Sequence, residues 1–350
     1  MSSSRVRKEV DEALYAFVDR QRPGLLGISE DLSPMLSALD VLLAGGKRLR
    51  PAFCYWGWRA LGGADGPEII AAAASLELLQ ASALIHDDVM DGSDTRRGQP
   101  SVHRRFEALH ASEGWPGSAV PFGMGAAILL GDLTLAWSGE MFDTSGLPGE
   151  VLAPGRPLYD VMRTEVMCGQ YLDMLEQARG TGDVESALRV VKYKSAKYTI
   201  ERPLHLGAAM AGASAADLEA LSDYGLPLGA AFQLRDDVLG VFGDPAETGK
   251  PAGDDLREGK RTVLIALAQE RATPAQREVL RRRLGDPGLD LSGVEELRTI
   301  LVETGALSGC ESMIDEFAAQ AHVALAAAPI AAEAVAALTD LTVAATARRV

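Results

Sequence analysis

The sequence has little of what marks a disulfide-stabilised or a nucleic-acid-binding protein. It holds 3 cysteines in 350 residues, scattered and without a CxxC pair, so neither a disulfide framework nor a zinc site is indicated. Its net charge of −15 argues against a nucleic-acid-binding surface, which is basic, so we predict no nucleic-acid partner. A local basic pocket for a phosphorylated substrate stays compatible with this charge.

The sequence also shows no clear targeting or membrane-spanning segment. The amino terminus is charged and no apolar segment follows it, so we predict no signal peptide. The most apolar stretch, 318–338, is interrupted by His322, Pro329 and Glu333, so we predict no membrane span. These features favour a cytoplasmic protein whose thiols are reduced.

Aromatic residues are scarce, at 5%, and alternating β-branched runs are few. Apolar residues instead recur at i, i+3 and i+4 through most of the chain, which is typical of amphipathic helices. The breaks rich in Gly and Pro are short, and no shift in composition marks a boundary. We therefore predict an all-α fold, with one large helical domain over residues 1–350 and its motif-bearing core at about 40–270.

A first acidic motif ends a long apolar stretch and contains Asp87, Asp88 and Asp91. On a helix, Asp87 and Asp91 are one turn apart on one face, where two like charges repel each other. Acids are also disfavoured at a helix carboxyl end by the helix dipole. Mg²⁺ would relieve both problems, since it binds one or two carboxylates plus phosphate oxygens. The motif therefore indicates a magnesium site.

A second acidic motif has the same design. The segment FQLRDD, at 232–237, ends another apolar helix in the pair Asp236 and Asp237. Two acidic pairs that each end an apolar helix predict two sets of carboxylates that face each other across a helical bundle. Bundle cores are an established location for carboxylate metal sites.

Basic residues accompany both acidic motifs. They are Lys47, Arg48 and Arg50 in GGKRLRP, Arg96 and Arg97 behind the first motif, and Lys250 and Lys260 behind the second. Arginine and lysine are the usual partners of phosphate oxygens. Any one of them taken alone is more often a solvated surface charge. Together with the acidic pairs they predict an all-α, Mg²⁺-dependent enzyme that acts on a diphosphate. The small residues of the helix that bears the first acidic motif suggest an apolar cavity, and hence a substrate with an apolar tail.

These motifs resemble those of the trans-polyprenyl diphosphate synthases, the family that includes the farnesyl and geranylgeranyl diphosphate synthases. The shared segments are GGKRLRP, LIHDDVMD, the following RRG, the Gly131-Asp132 pair, and FQLRDD with its lysine loop, from about Gly45 to Thr262. The resemblance implies a helical bundle around a central cavity, usually a homodimer. It also implies head-to-tail condensation of isopentenyl diphosphate with an allylic diphosphate, with three Mg²⁺ ions.

The resemblance also implies roles for individual residues. The metal ligands would be Asp87, Asp91 and Asp236, supported by Asp88. Isopentenyl diphosphate would bind Lys47, Arg50, Gln80 and Arg97, and the allylic diphosphate would bind Arg96, Lys250 and Lys260. The allylic group itself would contact Lys194, Ser195 and Gln233. In that chemistry the metals withdraw the allylic diphosphate, and the resulting cation is attacked by the double bond of isopentenyl diphosphate, after which a proton is lost.

Two positions depart from the family pattern. The second acidic motif of the family is usually DDxxD, but its fifth position here is Gly240. We expect little effect, because the first aspartate would make most of the metal contact. The alternatives are a reduced metal affinity, or replacement of the missing carboxylate by Asp237, Asp244 or water. The family also has a Lys-Thr pair. Lys194 and Ser195 fit that pair by type, although the spacing to Gly207 is one residue long, and Lys197 is the alternative.

Chain length of the product depends on the helix before Asp87. One turn back the residues are Ser82 and Ala83, both small, where an aromatic residue in the family stops the product at C15. A helical turn rises about 5.4 Å, close to the depth that one C5 unit needs. Leu79 follows deeper, and Met124 and Phe122 on another helix could form a deeper floor. The C20 product, geranylgeranyl diphosphate, is therefore favoured, with C15 and C25 or longer as alternatives.

Two other classes of protein remain open from the sequence. A class I terpene cyclase shares the bundle and a DDxxD motif, but would not need GGKRLRP. A non-catalytic partner subunit of a heteromeric synthase would have lost one acidic motif, whereas this chain lacks a single carboxylate.

Overall fold

The structure is a computed structural model that describes residues 3–180, 182–244 and 253–346. Helices dominate it, so the predicted all-α class is confirmed. The helices are α1 (Ser3–Ile28), α2 (Ser33–Leu43), α3 (Leu49–Ala60), α4 (Pro67–Asp91), α5 (Val102–Ser112), α6 (Ala119–Asp143), α7 (Gly149–Leu152), α8 (Arg156–Arg179), α9 (Val184–Val190), α10 (Arg202–Met210), α11 (Ala215–Phe242), α12 (Asp254–Glu258), α13 (Val263–Arg271), α14 (Pro274–Arg283), α15 (Leu291–Glu303), α16 (Ala306–Ala327) and α17 (Ala332–Thr346), with a 3₁₀ turn at Glu30–Leu32.

Strand structure in the described residues is limited to one small ladder. Thr95–Arg96 pairs antiparallel with Gln99–Pro100, directly behind the first acidic motif. The sequence analysis predicted no strand here, and the ladder forms a short hairpin. Arg96 and Arg97 therefore lie on a fixed turn rather than on a free segment.

The chain forms two compact units. The first comprises Met1–Tyr55 and Ala64–Leu152, and the second comprises Trp56–Gly63 and Ala153–Val350. In the first unit α4 packs against α6 and α1, and α5 packs against α6. The predicted single domain over 1–350 stays a prediction.

In the second unit α11 is the central helix. It packs against α16 and against a π-helix at Val191–Glu201, which in turn packs on α8. The apolar side of α11 joins a core built with α13, α15 and α16, whose fully buried members include Leu234, Val238 and Leu301. This core holds the helix that bears the second acidic motif.

Two helices, α4 and α6, are long and apolar enough to cross a membrane by length and composition alone. In its most apolar stretch 72% of α4 is buried inside the structure, against 28% of the corresponding stretch of α6. The sequence analysis singled out neither helix as a candidate span. The absence of a membrane span therefore stays a prediction.

Candidate active site

The first acidic motif forms the last turn of α4. Gly92 ends that helix with a left-handed φ of 67°, which a glycine adopts without strain. Asp87 and Asp91 are one turn apart, and an oxygen of each, Oδ1 and Oδ2 respectively, is shielded from solvent. Shielded carboxylate oxygens on one helix face are the donor set that Mg²⁺ prefers.

Asp88 has a different position from its two neighbours. It is 1% exposed and accepts a hydrogen bond from Arg96 Nε at 2.9 Å, with a second contact from Arg96 Nη2. Arg96 Nη2 also lies 3.7 Å from Asp87 Oδ2. Asp88 thus fixes Arg96 beside the face of α4 that carries Asp87, and the supporting metal role predicted for Asp88 stays a prediction.

Gly131 explains why α4 and α6 meet so closely at this end. A Cβ atom at Gly131 would lie 2.2 Å from His86 Nε2, so a larger residue would push the helices apart. The ring of His86 instead packs there, with Nε2 3.2 Å from the carbonyl oxygen of Ile128. The Gly131-Asp132 pair of the sequence thus has a packing role next to Asp87.

The cations of GGKRLRP divide into two kinds. Arg48 is 4% exposed and donates to Glu77 and to Asp11, each at 2.7 Å. Its backbone has a φ of 54°, a left-handed conformation that is strained for arginine. Lys47 is exposed and Arg50 half-buried. The sequence grouped all three as phosphate ligands, but Arg48 is a structural anchor that holds Lys47 and Arg50 in place.

Arg97 reaches back to the same loop. It also has a φ of 54°, and its Nη1 donates to the carbonyl oxygens of Leu42 and Gly45 at 2.8 and 2.5 Å. Burial lowers the pKa of Arg97, Glu77 acts against this shift, and the charges of Arg48, Arg96 and Arg50 add to it. Cations from two distant segments therefore converge, as a phosphate site requires.

Gln80 lies two turns before Asp87 on the same face of α4, as predicted. Its Oε1 is shielded from solvent and has no hydrogen-bond partner among the described residues. Of the chain-length residues, Ala83 is half-buried on this face, while Ser82 and Leu79 are 3% and 2% exposed. Ala83 is therefore the accessible small residue one turn from Asp87.

The second acidic motif lies near the end of α11. Asp236 is half-buried, and Asp237 accepts a hydrogen bond from Gln233 Nε2 at 2.7 Å. Burial raises the pKa of Asp237 to about 7; the bond from Gln233 opposes this, and the charges of Asp255 and Asp236 add to it. Asp237 thus orients the side chain of Gln233, one helical turn before it.

Arg235 anchors this part of α11 on its opposite side. Both of its terminal nitrogens donate to the carboxylate of Glu311 on α16, each at 2.6 Å. Residues at 233 and 237 lie roughly 160° around the helix from Arg235, because successive residues rotate by about 100°. The ion pair therefore sets the rotation of α11 about its own axis, and with it the placement of Gln233 and Asp237.

Lys194 lies in the π-helix next to α8. Its Nζ is 2.6 Å from Asp173 Oδ2, and a Cβ at Gly169 would lie 2.5 Å from the Lys194 nitrogen. The neighbouring Ser195 is 8% exposed. The geometry favours Lys194 over Lys197 as the accessible lysine.

Lys197 belongs to a buried ion network instead. Its Nζ lies 3.1 Å from both Glu165 and Glu201, and Arg202 donates to both oxygens of Glu165 at 2.6 and 2.8 Å. Ser222 completes the network with a bond to Glu201 at 2.8 Å. This lysine stabilises the packing of α8, the π-helix and α11.

Two residues that the sequence analysis missed lie on α8. Asp173 is 8% exposed and pairs with Lys194, and Gln170 lies one turn before it with a shielded Nε2 that has no partner in the described part of the chain. A buried acid between Leu172 and Met174 is the signal that could have found this pair.

The remaining predicted lysines follow the second motif. Lys260 Nζ lies 3.0 Å from Glu258 and 3.9 Å from Asp255. Lys250 lies outside the described residues. Nowhere in 3–180, 182–244 or 253–346 do three His, Cys, Asp or Glu side chains converge as a complete metal cage. Mg²⁺ bound by one or two carboxylates plus phosphate oxygens needs no such cage, so the donor set fits this metal.

Comparison with known proteins identifies the family. The polyprenyl synthetase family matches residues 33–301. The chain is 34% identical to a geranylfarnesyl diphosphate synthase of Aeropyrum pernix over 84% of this chain and 87% of the relative. It is 32% identical to a geranylgeranyl diphosphate synthase of Sulfolobus acidocaldarius over 74% of each chain.

Solved structures agree with the sequence matches. A geranylgeranyl pyrophosphate synthase of Corynebacterium glutamicum, crystallised with isoprenyl diphosphate and magnesium, is 41% identical, covers 100% of both chains and gives a TM-score of 0.96. The match spans both acidic motifs and the basic segments around them. The chain therefore belongs to the polyprenyl synthetase family and is a prenyltransferase.

Proposed function

We propose that the protein condenses isopentenyl diphosphate head-to-tail with allylic diphosphates and releases geranylgeranyl diphosphate, in a Mg²⁺-dependent reaction. The arrangement at the end of α4 carries this proposal. There the shielded oxygens of Asp87 and Asp91 lie on one face, and the guanidinium of Arg96 is held beside them by Asp88. Anionic metal ligands next to a fixed cation match a metal-bound diphosphate leaving group.

Asp87 and Asp91 in the first unit, and Asp236 in the second, would hold Mg²⁺, and we propose three ions in all. When bound, Mg²⁺ neutralises the negative charge that develops on the departing diphosphate. Arg96 and Lys260 supply further positive charge to that group, with Lys250 as an additional candidate. Each side chain is placed by a neighbour before substrate arrives: Arg96 by Asp88, and Lys260 by Glu258.

Isopentenyl diphosphate would bind the basic loop of the first unit. Lys47, Arg50 and Arg97 supply charge, and Gln80 presents a shielded side chain from α4. Because Arg48 is committed to Glu77 and Asp11, it keeps the loop in a binding conformation without substrate. This rigidity lowers the conformational entropy cost of binding.

The second unit would contact the allylic group. Gln233 is held by Asp237, Lys194 by Asp173, and Ser195 follows in the π-helix. Oriented amide and backbone dipoles stabilise an allylic cation without reorganising at the moment it forms. Water exclusion matters equally, because a free cation would be captured by water.

Product length tests the proposal directly. Purified protein is incubated with Mg²⁺, isopentenyl diphosphate and, separately, dimethylallyl, geranyl or farnesyl diphosphate, and products are separated by carbon number. We expect a C20 product from each primer and none after chelation of Mg²⁺. Because Ala83 is the accessible small residue near Asp87, Ala83→Leu and then Ala83→Phe should shorten the product stepwise towards C15.

Each other outcome rejects a defined part of the proposal. A C15 or C25 product from the wild type keeps the enzyme and rejects the C20 assignment. An unchanged product from Ala83→Phe rejects the placement of the growing chain along α4. No condensation by folded protein with any primer rejects catalysis by this chain alone and favours a non-catalytic partner subunit.

A second copy of the chain is the partner we propose, in the cytoplasm. The exposed apolar residues of α6 are Val120, Phe122, Met124, Ile128 and Leu129. A patch of this kind on one helix is typical of a protein–protein interface. We assign it to the homodimer that the family resemblance implies.

A further inference from the structure

Gly240 occupies the fifth position of the second acidic motif, where the motif usually has an aspartate. It lies one turn after Asp236 on the same side of α11. A Cβ atom built on Gly240 would lie 1.8 Å from Asp255 Oδ2 and 2.7 Å from its Cγ. The volume in which a side chain at 240 would begin is therefore already filled by the carboxylate of Asp255.

We propose that Asp255 supplies the carboxylate that the second acidic motif lacks, so that the motif is completed by a residue 15 positions further along the chain. This inference rests on the proposed function, since it concerns the Mg²⁺ ion assigned to Asp236. Mg²⁺ usually keeps several waters when bound to proteins, and Asp255 would accept hydrogen bonds from such waters and so help to hold the ion. Gly240 is required because any side chain there displaces Asp255.

The position of Asp255 is fixed by its own element. It belongs to α12, which begins after Gly253 and ends before Gly259, both with left-handed φ angles of 73° and 75°. The adjacent Leu256 is fully buried in the core that includes Val238 of α11. Because Leu256 is held by this core, Asp255 is brought against Gly240 by packing rather than by its own contacts.

The two oxygens of Asp255 have different surroundings. Oδ1 lies 3.9 Å from Lys260 Nζ, whereas Oδ2 lies against Gly240. Asp255 is thus oriented between a cation proposed to bind the allylic diphosphate and the face of α11 that carries Asp236. A carboxylate in this place can serve the metal and the phosphate-binding lysine together.

The test measures Mg²⁺ binding rather than turnover. Mg²⁺ is titrated by calorimetry into protein with geranyl thiolodiphosphate, an unreactive allylic analogue. Asp255→Asn should weaken the apparent Mg²⁺ affinity about tenfold to a hundredfold. Gly240→Ala should also weaken it, although every charge is retained, because its Cβ displaces Asp255. Thermal unfolding identifies any variant that fails to fold.

A relocation variant and a matched control complete the experiment. Gly240→Asp combined with Asp255→Ala returns the carboxylate to the motif and should recover most of the lost affinity. Asp254→Asn removes the same charge one residue away and should leave the affinity unchanged. Equal affinities for Asp255→Asn and Asp254→Asn would overturn the inference, as would a folded relocation variant without recovery. Absence of Mg²⁺-dependent binding by the wild type would reject the proposed function itself.

Discussion

Two lysines three residues apart in the π-helix show how placement separates function from stability. Lys194 is 22% exposed at its side chain and pairs with Asp173, whereas Lys197 is 11% exposed between two glutamates. The same charge is therefore partly accessible in one case and committed to an interior ion network in the other. By type and spacing alone, both fitted the Lys-Thr pair of the family.

Substitution of these lysines should give opposite results. We expect Lys194→Met to raise KM for the allylic substrate and lower kcat, with a smaller loss of Tm than Lys197→Met, since it leaves one buried carboxylate, that of Asp173, without its cation rather than two. Lys197→Met should cost about 3 kcal/mol of unfolding free energy, because it leaves Glu165 and Glu201 buried beside a missing charge. Steady-state kinetics and thermal unfolding of both variants check this. If Lys197→Met were as stable as the wild type but impaired in turnover, Lys197 rather than Lys194 would be the lysine that acts on the substrate.

Among the helices, the π-helix at Val191–Glu201 is an element whose type the sequence analysis did not predict. Its wider turn, with i→i+5 hydrogen bonds, accommodates one residue more than an α-helix over the same path. This accounts physically for the spacing from Lys194 to Gly207, which is one residue longer than the family pattern. Glycines of the flanking helices make room for it: a Cβ at Gly229 of α11 would lie 2.4 Å from Ala196 Cα.

The ion network that joins this element to α8 should make stability depend on pH. Burial alone would raise the pKa of Glu165, but bonds and charges from Arg202 and Lys197 lower it below its ordinary value of 4.5. A lowered carboxyl pKa contributes stability that is present above pH 4.5 and is lost as the pH falls through the folded-state pKa.

Glu165→Gln should therefore lower Tm most at neutral pH, and the difference from the wild type should shrink below pH 4.5. Unfolding is followed by circular dichroism from about pH 3.5 to about pH 8, a range that includes the ordinary pKa of a glutamate side chain. Glu185→Gln, on the exposed surface of α9, serves as the control and should show no such convergence. A constant Tm difference across the range would contradict the assigned network.

For the whole molecule, the exposed face of α6 is the main feature that a lone chain leaves unexplained. Leu129 is 63% exposed and Ile128 44%, on a helix with a long apolar stretch. With a net charge of −15, the molecule repels copies of itself at long range, so association requires a substantial apolar contact. The α6 face offers that contact.

Ile128→Glu with Leu129→Glu should convert the proposed dimer to monomer, because two charges would be buried at the interface. Analytical ultracentrifugation measures the mass at several concentrations. Val323→Glu, at a residue 72% exposed on α16, is the matched control and should stay dimeric. Either a monomeric wild type or a dimeric double variant would exclude this face as the interface.

The sequence determined the all-α class, the family and most of the chemistry, because these are written in short segments. Asp87 and Asp91 lie on one face through helical spacing alone, and GGKRLRP is one contiguous segment of the sequence. Such features need no knowledge of which helices meet. The family prediction made from them is confirmed by the matches over 33–301.

Tertiary structure alone decided which charges are available to a substrate. Arg48 meets Glu77 across 29 positions of sequence, Lys194 meets Asp173 across 21, and Asp255 reaches Gly240 across 15. These contacts depend on how helices pack, and neither periodicity nor composition encodes them. Side chains of the same type thus become anchor or ligand according to the partner that folding brings beside them.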